Sequence, residues 1–97
     1  MNKSDLIAAV AERMSNLAVK DVEIIVNTIF NSLTGALVNG DRIEIRGFGS
    51  FEVRVRQPRS GRNPKTGQSV QVGMRRVTFF KVGKELRERI RSSGGEI

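Results

Sequence analysis

The chain has 97 residues, with 17 Lys and Arg against 10 Asp and Glu, and contains no Cys, His, Trp or Tyr. Without Cys or His it has neither disulfides nor the usual ligands of a zinc staple. Without His, Cys or Tyr it offers no base–nucleophile pair, so neither catalysis nor a bound cofactor is expected. The length predicts one domain over 1–97, small enough to gain from oligomerisation. The charge is uneven: residues 1–41 hold three basic and five acidic side chains, residues 42–97 fourteen and five. Such asymmetry points to nucleic acid or an anionic surface. No apolar run is expected to approach the roughly 18 residues of a membrane span. MNKSDLIAAV lacks the apolar heart of a secretory signal, so a cytoplasmic location is expected.

Leu6, Ile7, Val10, Ala11 and Met14 recur at helical spacing and predict a first helix over 3–14. Asn2 is placed to cap it, with Asp5 in the first turn. Val19, Val22, Ile25, Val26, Ile29, Phe30, Leu33, Ala36 and Leu37 predict a second helix over about 19–38. Its apolar face is wide enough for more than one neighbour. Asn39-Gly40 ends it, Gly40 taking the left-handed conformation. Ile43 and Ile45 alternate with Arg42, Glu44 and Arg46 as a first strand. Gly47-Phe48-Gly49 makes a tight turn, with Phe48 and Phe51 packed in the body. A second strand starts near Ser50, and a third returns through Val77, Phe79 and Phe80. A last helix is predicted over about 82–91, with Leu86 and Ile90 as its large buried positions, then a frayed tail over 92–97. The plan is α+β: a helix pair, a three-stranded antiparallel sheet with a protruding β-ribbon arm, and a C-terminal helix. The sheet and the second helix each keep a face that a second copy would cover, which predicts a dimer.

The arm spans about 54–76 and reads RVRQPRSGRNPKTGQSVQVGMRR. It holds Arg54, Arg56, Arg59, Arg62, Lys65, Arg75 and Arg76 and no acidic residue. Between Gln57 and Ser69 there is no large apolar side chain, so this stretch cannot bury itself in a core. Phe51, Val53 and Val55 face one way and Glu52, Arg54 and Arg56 the other, while Val70 and Val72 alternate on the return. Gly73 and the Met74-Arg75-Arg76 step predict a bulge or bend. Uncompensated arginines suit phosphates and narrow grooves, and a two-stranded ribbon fits a DNA groove. A polyanion is therefore the expected partner. Pro64 reads equally as a turn proline or as a rigid wedge between base pairs. RNA and membrane are disfavoured. The ribbon has no aromatic to stack single-stranded bases, and no basic amphipathic helix carries Trp or Phe.

MNKSDLI, GDRIEIRGFGSF, PRSGRNPKTG and FKVGKELRERI resemble the HU and integration host factor family of bacterial DNA-bending proteins over residues 1–91. Glu44-Ile45-Arg46-Gly47 and Pro58-Arg59 are most similar to the family's β-type integration host factor chains. The resemblance implies an intertwined dimer, with an α-type partner or with itself, that binds double-stranded DNA in the nucleoid through its minor groove. It makes Pro64 the intercalating residue. Arg54, Arg56, Arg59, Arg62, Asn63, Lys65, Arg75 and Arg76 become arm contacts, and Arg42, Glu44 and Arg46 the body face below the DNA. Lys3, Ser4, Gly83 and Lys84 become phosphate clamps at helix starts. Ala18, Thr78 and Val82 stand where the β-type pattern favours proline, so the alternative is an HU-like homodimer with little sequence preference.

Overall fold

The structure is a computed structural model that describes residues 1–57, 59–62 and 65–95, with backbone alone for 59–62, 69–72 and 95. Two compact units divide it, residues 1–35 and 36–97, and the boundary falls inside the second helix.

The first unit begins with α1 (Lys3–Arg13). Asn2 caps it: its side-chain oxygen accepts from Asp5 N at 2.9 Å, and Asn2 N donates to Asp5 Oδ2 at 3.0 Å. Two of the donors that a helix start leaves unpaired are thereby satisfied reciprocally. Ser4 Oγ also donates to Asn2 Oδ1 at 2.7 Å. Replacing Asn2 by Ala is expected to cost about 1 kcal/mol, seen as a lower midpoint in urea unfolding with an unchanged slope. The helix stops one residue before the sequence reading places its end. Met14 is the C-cap, its N–H shared between the Val10 and Ala11 carbonyls.

α2 (Val19–Val38) has the bounds its apolar periodicity predicts. Among the described residues only Val22 and Val26 are buried apolar side chains. Ile29 follows them at i+7 and i+3, on the same stripe, yet stays 52% exposed, and Ile25 and Phe30 beside it are also exposed. By length and composition α2 is also the one described helix able to cross a membrane. That corrects the expectation that no segment reaches this scale. Asn27, Thr28, Asn31 and Thr34 interrupt its apolar run, but the helix as a whole remains apolar enough. Its polar residues gather on one side, which suits a helix between protein and water rather than one ringed by lipid.

The helix ends as Asn39-Gly40 predicts. Gly40 has φ 84°, Gly40 N donates to Leu37 O at 3.0 Å, and Asp41 N donates to Ala36 O at 2.9 Å. This is the paired-bond termination that a left-handed glycine allows.

Three strands form the main sheet, β1 (Ile43–Ile45), β2 (Gly49–Arg56) and, after the ribbon, β5 (Arg75–Val82). The order is β1-β2-β5, antiparallel throughout. Between them β3 (Arg59–Arg62) and β4 (Ser69–Val72) pair as a separate two-stranded sheet. The bulge expected at Gly73 and the Met74-Arg75-Arg76 step is not present: Arg75 and Arg76 pair regularly with Arg56 and Val55, and the register is the same on both sides of Gly73-Met74, where only the pairing lapses and ribbon parts from sheet. Gly49 sits where strand meets strand so closely that a Cβ would stand 2.5 Å from Lys81 O and 2.7 Å from the Phe80 ring. Phe80 is the hub of this packing, its ring centroid 4.7 Å from that of Phe51 and 5.6 Å from that of Phe48.

The last helix, α3 (Lys84–Ile90), starts later than its apolar pattern suggests. Val82 is still paired to Gly49 in the ladder, and Gly83 is the extended N-cap. Ile90, expected to be buried, is 53% exposed in the protomer. In the tail, expected to fray from Ser92, helical hydrogen bonding continues past Arg91 until Gly94, at φ 88°, breaks the helical backbone. There Ser92 Oγ donates to Arg89 O and Ser93 Oγ to Ile90 O. Glu96 and Ile97 lie outside the described residues.

Candidate nucleic-acid interface

The strand register decides which side chains share a face. Glu44 opposes Ser50, Ser50 opposes Lys81, Glu52 opposes Phe79 and Arg56 opposes Arg75. With two-residue alternation, one face carries Arg42, Glu44, Ser50, Glu52, Arg54, Arg56, Arg75, Phe79 and Lys81. Val77 lies there too, opposite Arg54. The other face carries Ile43, Ile45, Phe51, Val53, Val55, Arg76, Thr78, Phe80 and Val82. Most charges fall on the first side and most apolar residues on the second, and the first side is strongly basic.

Glu52 organises that side. Its Oε1 accepts from Arg54 Nε at 2.7 Å and its Oε2 lies 3.4 Å from Arg42 Nη1. The Arg54 guanidinium also lies 3.7 Å from the centroid of the Phe79 ring, which serves as its platform. Exposed ion pairs contribute about 0–1 kcal/mol. They therefore hold the two guanidinium groups over the sheet while leaving them available to a stronger anion. Farther along, Arg56 and Arg75 oppose each other directly. Like charges across a ladder repel, and a phosphate between them would relieve that.

At the other end of the sheet lies a groove of about 400 Å³ lined by Arg42, Glu44, Arg46, Ser50, Lys81, Gly83, Lys84 and Arg87, among others. It brings together two sets that the sequence suggests separately, the body face (Arg42, Glu44, Arg46) and one phosphate clamp (Gly83, Lys84). Lys81, Arg87 and Ser50 belong to it as well and escape the sequence reading. The signal for Arg87 is its i+3 spacing from Lys84 on one helix face. Lys81 shows itself only through the register that sets it opposite Ser50.

The remaining sequence-predicted residues are dispersed. Lys3 and Ser4 occupy the first turn of α1, in the unit of residues 1–35. Arg59 pairs with Val72 and Arg62 with Ser69 in the ribbon ladder, and Lys65 lies in the exposed turn beyond it. Asn63 and Pro64 lie outside the described residues. Arg76 parts from its neighbours: it opposes Val55 on the apolar side, and its guanidinium donates to Val38 O at 3.1 Å and Leu37 O at 3.5 Å.

The sequence matches the family described as bacterial DNA-binding protein over residues 1–91. This chain belongs to the family of HU and integration host factor. It is 57% identical over 90 residues to the integration host factor subunit beta of Thioalkalivibrio sulfidiphilus, covering 93% of this chain and 94% of the relative. To that of Teredinibacter turnerae it is 52% identical over 97 residues, covering 100% and 99%. Among solved structures it is similar to the Anabaena HU–DNA cocrystal structure, with TM-score 0.82, 39% identity and coverage of 93% and 97%. It is also similar to HU from Thermotoga maritima, with TM-score 0.63, 36% identity and coverage of 93% and 98%. In this family setting, the basic sheet face and the ribbon that continues it form the candidate DNA surface.

Proposed function

We propose that this chain is the β-type subunit of an integration host factor, an architectural protein that bends duplex DNA. The observation that carries the reading is the sheet face itself. Apart from Arg76, its basic side chains gather on one side, while Ile43, Ile45, Phe51, Val53, Val55 and Phe80 take the other, in a chain 52–57% identical to β-type subunits. Arg42, Glu44 and Arg46 lie below the DNA in this reading, with Lys81 and Arg87 beside them. Arg54, Arg56, Arg59, Arg62, Asn63, Lys65 and Arg75 follow the minor groove, and Pro64 wedges between base pairs. Lys3, Ser4, Gly83 and Lys84 hold phosphates at the flanks.

The half-exposed apolar stripe of α2 and the apolar sheet face support an intertwined dimer in which residues 1–35 and 36–97 work as one DNA-binding domain. Lys and Arg supply affinity by releasing counterions, and deformability of the duplex supplies what sequence preference there is. The reading involves no catalysis, cofactor or membrane, and places the protein in the cytoplasm on the nucleoid. Ala18, Thr78 and Val82 depart from the β-type pattern, and an HU-like homodimer is the second reading. Light scattering on the chain expressed alone and with an α-type partner separates the two.

Binding to duplex DNA measured across a salt series tests the surface. The logarithm of the binding constant is expected to fall linearly with the logarithm of salt, by about 0.9 per phosphate neutralised. Salt-independent binding would remove the basic face from the mechanism.

A further inference from the structure

The four arginines at the root of the ribbon, Arg54, Arg56, Arg75 and Arg76, divide by the side they face, and Arg76 stands apart. Arg54, Arg56 and Arg75 share the polar face, while Arg76 opposes Val55 on the apolar one. There it meets the C-terminus of α2. A helix leaves its last carbonyls without intrahelical donors, and they carry the negative end of the macrodipole. At this end backbone donors reach Ala36 O and Leu37 O, from Asp41 and Gly40. Val38 O, one residue later, takes the Arg76 guanidinium at 3.1 Å, and the same Nη2 lies 3.5 Å from Leu37 O. Gly40, at φ 84°, lies beside this contact: a Cβ there would stand 3.4 Å from Arg76 Nη2, an ordinary contact distance.

The position along the strand gives this hydrogen bonding its meaning. Arg76 is the second residue of β5, two beyond Met74, where the ribbon breaks from the sheet. Whatever holds Arg76 holds the root from which the ribbon departs.

We propose that Arg76 is a positioning residue for bending: it bolts the root of the arm to the C-terminus of α2 and so fixes the direction in which the arm meets DNA. This rests on the reading of the chain as a DNA-bending protein. A planar guanidinium with several donors can engage two carbonyls at once, which an ammonium cannot do with the same geometry. Arg76 then contributes little to phosphate neutralisation, although it lies in the most basic stretch of the chain.

The test compares Arg76→Ala with Arg75→Ala, which removes the same charge from the opposite face one residue away. In the free protein, hydrogen exchange at 36–40, 53–56 and 75–78 is expected to quicken about five-fold in Arg76→Ala and to stay at the parent rate in Arg75→Ala. On DNA at saturating protein, Arg76→Ala gives a smaller end-to-end energy-transfer rise than the parent but keeps the parent's salt slope. Arg75→Ala lowers the slope by about 0.9 for each phosphate it no longer neutralises. Arg76→Lys restores part of the energy transfer. Unchanged exchange in Arg76→Ala, or a salt slope lowered as in Arg75→Ala, overturns the proposal and makes Arg76 an ordinary phosphate ligand. Faster exchange with energy transfer equal to the parent's also overturns it, leaving only a local stabilising bond. If the parent itself binds DNA without any rise in energy transfer, the bending reading fails, and with it the positioning role. The exchange result then still reports whether the bolt exists.

Discussion

A duplex of about three to four helical turns, dyed at both ends, is expected to show a large rise in energy transfer when saturated with this chain and a clearly smaller one with Pro64→Ala. Smooth bending of such a duplex through a large angle costs on the order of 1–6 kcal/mol, which phosphate binding on the basic body must offset. A rigid apolar ring between two base pairs concentrates that bend at one unstacked step, at a cost of a few kcal/mol. Alanine cannot hold the step open. Pro64 lies in the sequence GRNPKTG between Arg62 and Lys65, and the proposed function gives these two basic neighbours the adjacent phosphates. Saturating protein is essential, because the comparison must read bend and not occupancy. Both rises weaken as salt is raised. An equal rise for parent and Pro64→Ala would give the bend to the arginines alone.

Ile29→Asp is expected to prevent both assembly and cooperative folding, whereas Asn31→Asp on the polar side of α2 leaves the parent's mass and melting midpoint nearly unchanged. In the isolated protomer Ile29 is 52% exposed, and a charge there would be tolerated. In a dimer closed over this stripe the same carboxylate would be buried without a partner, a loss of several kcal/mol. A small domain whose described core holds only Val22 and Val26 as buried apolar side chains has little stability to spare. Light scattering and circular dichroism melts on the two variants decide the matter. A folded Ile29→Asp chain with parental mass would show that α2 does not close the dimer through this face.

Much of the fold was legible because helix and turn signals are local. A helix is decided by neighbours three and four residues apart, and its ends by the caps. Val19–Val38, the Asn2 cap and the Gly40 termination follow from these alone. The basic ribbon was legible for the same reason, since it is a property of consecutive residues, whereas the bulge expected at Gly73 to Arg76 is absent. Ile90 was not: its helical spacing gives it an inward side, but only the protomer's packing tells whether anything lies there. In the protomer it is 53% exposed.

The sequence by itself determined the bounds of α2, the basic arm, the polyanion as partner and, through its motifs, the family. Tertiary structure decided how the charges are shared out. Alternation assigns two faces to a strand but not their directions; the pairing lapses at Gly73-Met74, yet the register is the same on both sides of it. Only cross-strand register could put Arg75 with Arg56 on the polar side, turn Arg76 toward the end of α2, place Phe79 beneath Arg54 and join Lys81 and Arg87 to Arg42. These pairings link residues tens of positions apart in sequence, where no local signal reaches.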